Sequence, residues 1–348
     1  IKLLIMNKKI LVTGGAGFIG SNLVRILLKK NYKVINLDIL NYASVPDKFK
    51  NYINNKNYKI IKKNIKNKKI IEDIIKKNKI DGIINLASQS HVDRSINSPE
   101  KFISENIISN LSLIDQINFF KRKNFFSGKY INISTDEVYG NIEKEPSDEN
   151  FPLLPNSPYS ASKASVDLIL RSYNRTFNFP YINIRCCNNY GPFQFPEKFI
   201  PTIILNLIKK IEIPVYGKGL NKREWIHVDD FSDAIELIYR KGKINNVYNV
   251  GSNIRIRNLD LIKKINKILN KKFDIVTKNK YFKYVEDRPG HDYSYKINSK
   301  KLRNKLNWKT KMNIDQGLEQ TISWYLRNSR WIDYTKSKYK GERLGKND

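Results

Sequence analysis

The sequence predicts an α/β fold, a doubly wound and mostly parallel sheet with a smaller α/β lobe on its C-terminal side. Three observations predict it. Short apolar runs alternate with segments of helical periodicity through the first half of the chain. A glycine-rich turn, Gly14 to Gly20, follows the first of those runs, and an acid, Asp38, closes the second. The apolar run Tyr130 to Ile133 delivers Ser134-Thr135-Asp136-Glu137-Val138-Tyr139-Gly140. A hydroxyl and two acids therefore emerge at a strand's carboxyl end, where open α/β sheets bind their ligands.

In chain order, Lys9 to Val12 reads as a buried strand, and Phe18, Leu23, Ile26 and Leu27 mark the helix after the turn. Strand, glycine turn and helix form the context of a dinucleotide fingerprint. Gly14 permits the tight turn, Gly17 lets backbone approach a pyrophosphate, and Gly20 allows close helix–strand packing. The second strand, Lys33 to Leu37, places Asp38 near the ~20-residue separation at which an acid meets the ribose hydroxyls. Asp38 would repel a 2′-phosphate, so NAD is expected rather than NADP. Tyr58 to Ile61 is a third strand, ending near Asn64 and Ile65, and Ile70 to Ile75 a helix. Asp81 to Ser88 is a fourth strand whose small residues let a cofactor lie against backbone. Phe102 to Phe119 has helical periodicity, and the fifth strand follows.

A Pro-, Asn- and Ser-rich loop then leads to a helix that starts at Ser157 or Pro158 and carries Tyr159 and Lys163. Residues four apart are neighbours on a helix. An ammonium beside a phenol lowers a pKa that starts near ~10, which makes Tyr159 a candidate base. Tyr181 to Cys187 is a sixth strand. Shorter elements follow: helices Phe199 to Lys209, Asp229 to Tyr239, Leu259 to Leu269 and Ile314 to Leu326, with strands Ile213 to Tyr216 and Val247 to Val250. The expected division is a dinucleotide-binding domain over 8–192, a substrate lobe over 193–327 partly interleaved with it, and a loose polar tail over 328–348.

The chain has 348 residues and a formal charge of +31. Its lysines are dispersed among Ile and Asn, as AT-rich codon usage produces. They are not clustered into a groove, so no nucleic-acid partner is expected. A basic surface still steers anionic ligands inward. No apolar stretch approaches the ~20 residues that span a bilayer, so no membrane partner is expected. Met6 is a candidate start, with the first five residues an upstream extension. The adjacent Cys186 and Cys187 read as free thiols of a reducing, cytoplasmic compartment, and no metal-ligand spacing occurs, so no metal is expected.

Gly14-x-x-Gly17-x-x-Gly20 with Tyr159-x-x-x-Lys163 resembles the extended short-chain dehydrogenase/reductase family, a Rossmann-type fold. Within it the likeness is to nucleotide-sugar 4,6-dehydratases that act on dTDP-glucose in deoxysugar biosynthesis. It is carried by Ser90 to Ile96, Ser134 to Gly140, Asn188 to Pro192 and Arg288 to Asp292. The resemblance implies that Phe18, Ile19, Asp38, Asn41, Leu86, Ala87, Ser88 and Asn189 line NAD, with Asn64, Ile65 and Glu105 beside them. It implies that Lys163 holds the nicotinamide ribose and tunes Tyr159. Ser90, Thr135, Asn188, Lys198, Phe199, Pro214, Val215, Tyr216, Arg223, Asn249, Arg288 and His291 would meet the nucleotide sugar, the cationic ones its pyrophosphate. Thr135, Asp136, Glu137, Tyr159 and Lys163 would be catalytic, with Asp136 as acid and Glu137 as base.

The chain departs from the family's pattern at Asn64 for Asp, Asn85 for His, Gln89 for Glu, and Glu105 for Thr. Glu105 would set a carboxylate near the nicotinamide ribose. Asp136 distinguishes the chain from epimerases and GDP-mannose dehydratases, whereas UDP-glucose dehydratases share the Thr-Asp-Glu arrangement. A basic nucleic-acid-binding protein on an inactive dehydrogenase scaffold is the alternative from another class. A homodimer through the Phe102–Phe119 helix and the Tyr159 helix is expected from the resemblance.

Overall fold

The computed structural model describes residues 8–45, 52, 54–277 and 280–339. Met6 and residues 340–348 of the expected tail lie outside them.

The strands, in order, are β1 (Lys9–Thr13), β2 (Lys33–Asp38), β3 (Tyr58–Lys62), β4 (Gly82–Asn85), β5 (Lys129–Thr135) and β6 (Tyr181–Cys186). The later ones are β7 (Asn188–Tyr190), β8 (Ile213–Tyr216), β9 (Lys222–His227), β10 (Asn246–Val250), β11 (Arg255–Arg257) and β12 (Phe282–Val285). Seven form one parallel sheet in the order β10-β6-β5-β4-β1-β2-β3. Chain order reverses between β1 and β4, which makes their carboxyl ends the ligand crevice.

Helices cover both faces, which is why β1, β4 and β5 are nearly continuous apolar runs. On one face lie α1 (Phe18–Lys29) and, from much later in the chain, Val228–Lys241; Leu23, Val24 and Leu27 meet the same core as Phe231, Ile235 and Ile238. The other face packs α2 (Lys68–Asn78), the helix Ser109–Arg122 and the helix Pro158–Phe177 through Ile71, Ile74, Leu113, Ile117, Val166 and Leu170. Asn67 caps α2 by accepting the Ile70 N–H at 3.0 Å. The Pro158 helix begins with a Ser157–Ser160 capping box and Pro in its first turn, so its start is fixed to the residue.

Between α2 and β5 the chain forms α3 (Val92–Asn97), α4 (Pro99–Phe102), a π-helical stretch Ile103–Ile108 and α5 (Ser109–Arg122). The expected single helix is thus broken by a wider turn, and the Ser90–Ile96 motif is helical for most of its length. The helices that follow are α6 (Pro158–Phe177), α7 (Phe199–Ile208), α8 (Val228–Lys241), α9 (Asn258–Phe273), α10 (Lys300–Leu306), α11 (Ile314–Arg327) and α12 (Ser329–Lys336). The smaller lobe packs α7, α9 and α11 around Ile203, Ile204, Ile265, Leu269, Leu318 and Ile322. It adds a three-stranded sheet β11-β9-β7 and a pair β12-β8. β10 and α8, both beyond residue 192, return to the large sheet. The expectation of a loose tail is corrected for 329–336, because α12 docks on the lobe through Trp331, which is 4% exposed.

Candidate active site

β5 ends in Thr135, whose hydroxyl accepts the Glu137 N–H at 3.3 Å and caps a short 3₁₀ turn, Asp136–Tyr139. That turn ends at Gly140 with φ of 74°, and a Cβ there would lie 2.1 Å from the Leu154 carbonyl oxygen. The motif closes on glycine for that reason. Asp136 and Tyr139 are buried. Tyr159, in the first turn of α6, has its phenol in the same cavity as Thr135, Asp136, Glu137 and Lys163. Its backbone N–H donates to Ser95 Oγ at 3.1 Å, and its ring meets Phe102 edge-on.

The two acids differ in their surroundings. Burial, then the carboxylates of Glu137 and Glu224, raise the pKa of Asp136 well above the carboxylate range. Burial also raises Glu137, opposed by the guanidinium groups of Arg288 and Arg223 and by Lys198. Asp136 Oδ2 and Glu137 Oε2 have no hydrogen-bond partner among the described residues. Buried carboxylate oxygens left unpaired beside a cavity fit a hydroxylated ligand. Separating the ionisation of two neighbouring acids is how a site obtains both an acid and a base.

The surroundings of Tyr159 are more than the Lys163 ammonium the sequence predicts. Burial, Glu137 and Cys186 hold its phenol well above the usual range, against a Thr135 hydrogen bond that favours ionisation. The Lys163 Nζ donates to the Ile133 carbonyl at 2.6 Å, and burial pushes its own pKa down to about 8.

The dinucleotide cavity, about 310 Å³, is lined by every residue expected to meet NAD: Gly14, Gly17, Phe18, Ile19, Gly20, Asp38, Asn41, Asn64, Ile65, Leu86, Ala87, Ser88, Glu105, Tyr159, Lys163 and Asn189. Gly14 has φ of 67°, and a Cβ on it would lie 2.7 Å from the Ala87 amide nitrogen. Asp38 accepts the N–H groups of Ala16 at 2.9 Å and Leu40 at 2.8 Å, which aims its carboxylate along the rim of the glycine turn. Asn189 Oδ1 is buried without a partner among the described residues. These residues fit a dinucleotide. The carboxylate of Glu105 is paired with Lys66 at 3.4 Å, so part of its charge is compensated. Gln89 is clasped by Asn106 of the π-helical stretch, through Gln89 N–H to Oδ1 at 2.7 Å and Nδ2 to Gln89 O at 3.0 Å.

A second cavity of about 730 Å³ continues from Ser90, Glu137, Asn188 and Lys198, which line both. Phe199, Pro214, Val215, Tyr216, Arg223, Arg288 and His291 line it too. Arg223 stacks on Tyr295 with its guanidinium 4.3 Å from the ring centre, and donates only to backbone carbonyls, including Asp292 O at 2.8 Å. Its charge has no carboxylate partner in hydrogen-bond contact among the described residues, which suits an anionic ligand. Arg288 pairs with Asp93 at 2.9 Å, and the Tyr216 hydroxyl donates to the same carboxylate at 3.1 Å.

One expectation is corrected here. Asn249 lines neither cavity; it is fully buried, accepting the Tyr139 hydroxyl at 2.8 Å and donating to Ser147 O at 3.0 Å. Asn258 lies in the cavity instead, with Oδ1 unpartnered among the described residues. His291 lines the larger cavity, where burial and the two arginines push its pKa down to about 3, against a hydrogen bond to Asp287 at 2.6 Å that favours its charged form. Among the described residues no three His, Cys, Asp or Glu side chains gather to hold a metal.

A dinucleotide cavity that opens onto a Tyr–Lys pair and two buried acids, and then onto a cationic cleft, is the layout of an enzyme that processes a nucleotide-linked substrate. A sequence model of the GDP-mannose 4,6 dehydratase family matches residues 11–321, and the chain belongs to that family. A probable dTDP-glucose 4,6-dehydratase of Sinorhizobium fredii is 40% identical, with 97% of this chain and 98% of that protein covered. The solved dTDP-glucose 4,6-dehydratase of Bacillus anthracis, in complex with NAD, superposes with a TM-score of 0.85 at 38% identity, covering 94% of this chain and 100% of the other. The Streptomyces venezuelae dTDP-glucose 4,6-dehydratase, also with NAD bound, gives 0.86 at 35% identity, with 93% and 98% covered.

Proposed function

We propose that this protein converts dTDP-glucose to its 4-keto-6-deoxy derivative, with NAD as a resident cofactor. Asp38, the glycine turn and Lys163 would hold the dinucleotide. Bound there, NAD would supply the hydride acceptor for C4 and the hydride donor for C6, and the positive charge of its nicotinamide would favour ionised Tyr159. The chain's own side chains move the protons. Tyr159 takes the proton of the 4-hydroxyl, which Thr135 orients. A ketone at C4 acidifies the C5–H, and Glu137 removes that proton, its ionised form favoured by Arg288, Arg223 and Lys198. Asp136 gives its proton to the 6-hydroxyl, which departs as water. Glu137 then returns a proton to C5, and the sugar has lost one water with no net oxidation.

The unlike surroundings of Asp136 and Glu137, both lining the cavity beside Tyr159, carry this reading, because an epimerase has no use for a second acid and base there. The test is incubation with dTDP-glucose and, separately, UDP-glucose, followed by the alkaline absorbance of a 4-keto sugar. Conversion of dTDP-glucose is expected; conversion of UDP-glucose alone would reassign the nucleotide, and no keto product from either would overturn the reaction.

A homodimer is the assembly we infer. Ile103 (49% exposed) and Ile108 (51%) on the π-helical stretch, Phe119 on α5, and Leu168 (55%) and Phe177 on α6 are apolar side chains facing solvent on the two helices expected to pair. No helix among the described residues is long and apolar enough to cross a membrane. Buried free thiols at Cys186 and Cys187 support a reducing compartment, which we take to be the cytoplasm. We also read the chain as a dinucleotide-binding domain over 8–192 and a substrate lobe over 193–327, joined through β10 and α8.

A further inference from the structure

The C-terminal helix forms part of the larger cavity. Trp331 anchors α12 in an aromatic cluster with Trp324 (ring centres 5.0 Å apart), Tyr325 (5.9 Å) and Phe193 (6.4 Å). Ile332 and Thr335 follow at helical spacing, and Tyr339 lies one turn further on. All three line the cavity that holds Arg223 and Arg288. Thr335 is 1% exposed and donates its hydroxyl to Ile332 O at 2.8 Å, while the Tyr339 ring lies 6.4 Å from Phe195.

The groups that share the cleft say what these residues meet. Glu137 lines both cavities and marks the sugar's place beside Tyr159. Arg223 and Arg288 are the cations for a diphosphate. The nucleoside must then fill what remains of the larger cavity, where Phe199, Leu205 and Val215 supply apolar surface suited to a flat base. We propose that α12 and Tyr339 are a nucleoside-recognition element: Ile332, Thr335 and Tyr339 contact the base and ribose of the nucleoside diphosphate. This rests on the nucleotide-sugar reading of the site.

Two variants test it in the full-length protein and its shortened form: Ile332→Ala/Thr335→Ala/Tyr339→Ala, which keeps the Trp331 anchor, and a chain ending at Asn328. Titration calorimetry with dTDP reads nucleoside binding, titration with NAD reads the dinucleotide cavity, and thermal melting reads the fold. For the triple variant we expect dTDP to bind at least about tenfold more weakly while NAD affinity falls by less than about threefold, with a lowered but still cooperative melting transition because Ile332 packs on the lobe's core. The shortened chain, if folded, should lose at least as much. Unchanged dTDP affinity in the folded triple variant would overturn the role of the helix and leave the reaction untouched. A parent protein that binds neither dTDP nor UDP would overturn the nucleotide reading of the cavity, and this proposal with it.

Discussion

Asp136 and Glu137 are neighbours in the chain, and burial raises both. Two carboxylates push Asp136 further up against Arg223, while Arg288, Arg223 and Lys198 hold Glu137 down against Asp292. Asp136→Asn keeps the shape and removes the acid, so it should slow water loss by about 100-fold or more while C4 oxidation persists. Single-turnover cofactor absorbance with product analysis would show it, and loss of C4 oxidation alone would contradict the assignment. The same residue has a stability signature. Its raised pKa contributes stability below the ordinary aspartate range, and that contribution is lost as pH climbs towards the raised value. Asp136→Asn should therefore melt higher than the parent near about pH 8, with the gap closing near about pH 4. His291 has the opposite sign: its pKa is depressed to about 3, so stability is lost as pH falls from 6.5 towards that value. His291→Gln should flatten the acid limb of a melting-temperature profile; an unchanged limb would refute that. Both acids, and Tyr159 beside Lys163, were legible in the sequence because strand ends and helical spacing are local properties. The exchange of Asn249 for Asn258 was not, since which asparagine reaches the cleft depends on how α9 docks, a long-range fact.

At the scale of elements, the catalytic strand is held from behind by a buried ion pair. Arg185 of β6 donates to Asp167 of α6 at 2.9 Å and to the Tyr139 hydroxyl at 2.8 Å, and that hydroxyl donates to Asn249. Removing one partner strands a guanidinium in a dry interior, so Asp167→Ala should cost about 3–5 kcal/mol in urea unfolding. A loss below about 1 kcal/mol would show the pair to be solvated. The strands of the large sheet also share a polar ladder: Asn132 Nδ2 donates to Asn183 Oδ1 at 2.9 Å, and Asn85 Nδ2 to Asn132 Oδ1 at 3.2 Å. Asn85, where the resemblance leads one to expect His, belongs to this ladder. The large sheet was readable because most of its strands carry apolar residues on both faces around that ladder. β7, β9 and β11 were not, because they are short or carry Asn, Lys and Arg and give no period. The π-helical stretch escaped because one wider turn hardly disturbs the apolar spacing. It matters nonetheless, since it turns Asn106 onto Gln89 and carries Glu105 to the cavity.

For the whole molecule, the formal charge of +31 says little about fold and something about ligands. The cations that count are ones that line the two cavities: Lys163 and Lys198 in the first, Lys198, Arg223 and Arg288 in the second. The exposed apolar residues of the π-helical stretch and α6 predict self-association, so Ile108→Glu with Leu168→Glu should shift sedimentation from dimer to monomer. A parent that sediments as a monomer would contradict the dimer. Everything catalytic converges on one sequence of events, in which a hydrogen leaves C4 and arrives at C6 of the same sugar without exchanging with water. The most direct test is dTDP-glucose carrying deuterium at C4, with the product read by NMR and mass spectrometry. Deuterium in the product's methyl group is the predicted result; a methyl group without it, or deuterium released to solvent, would contradict the account.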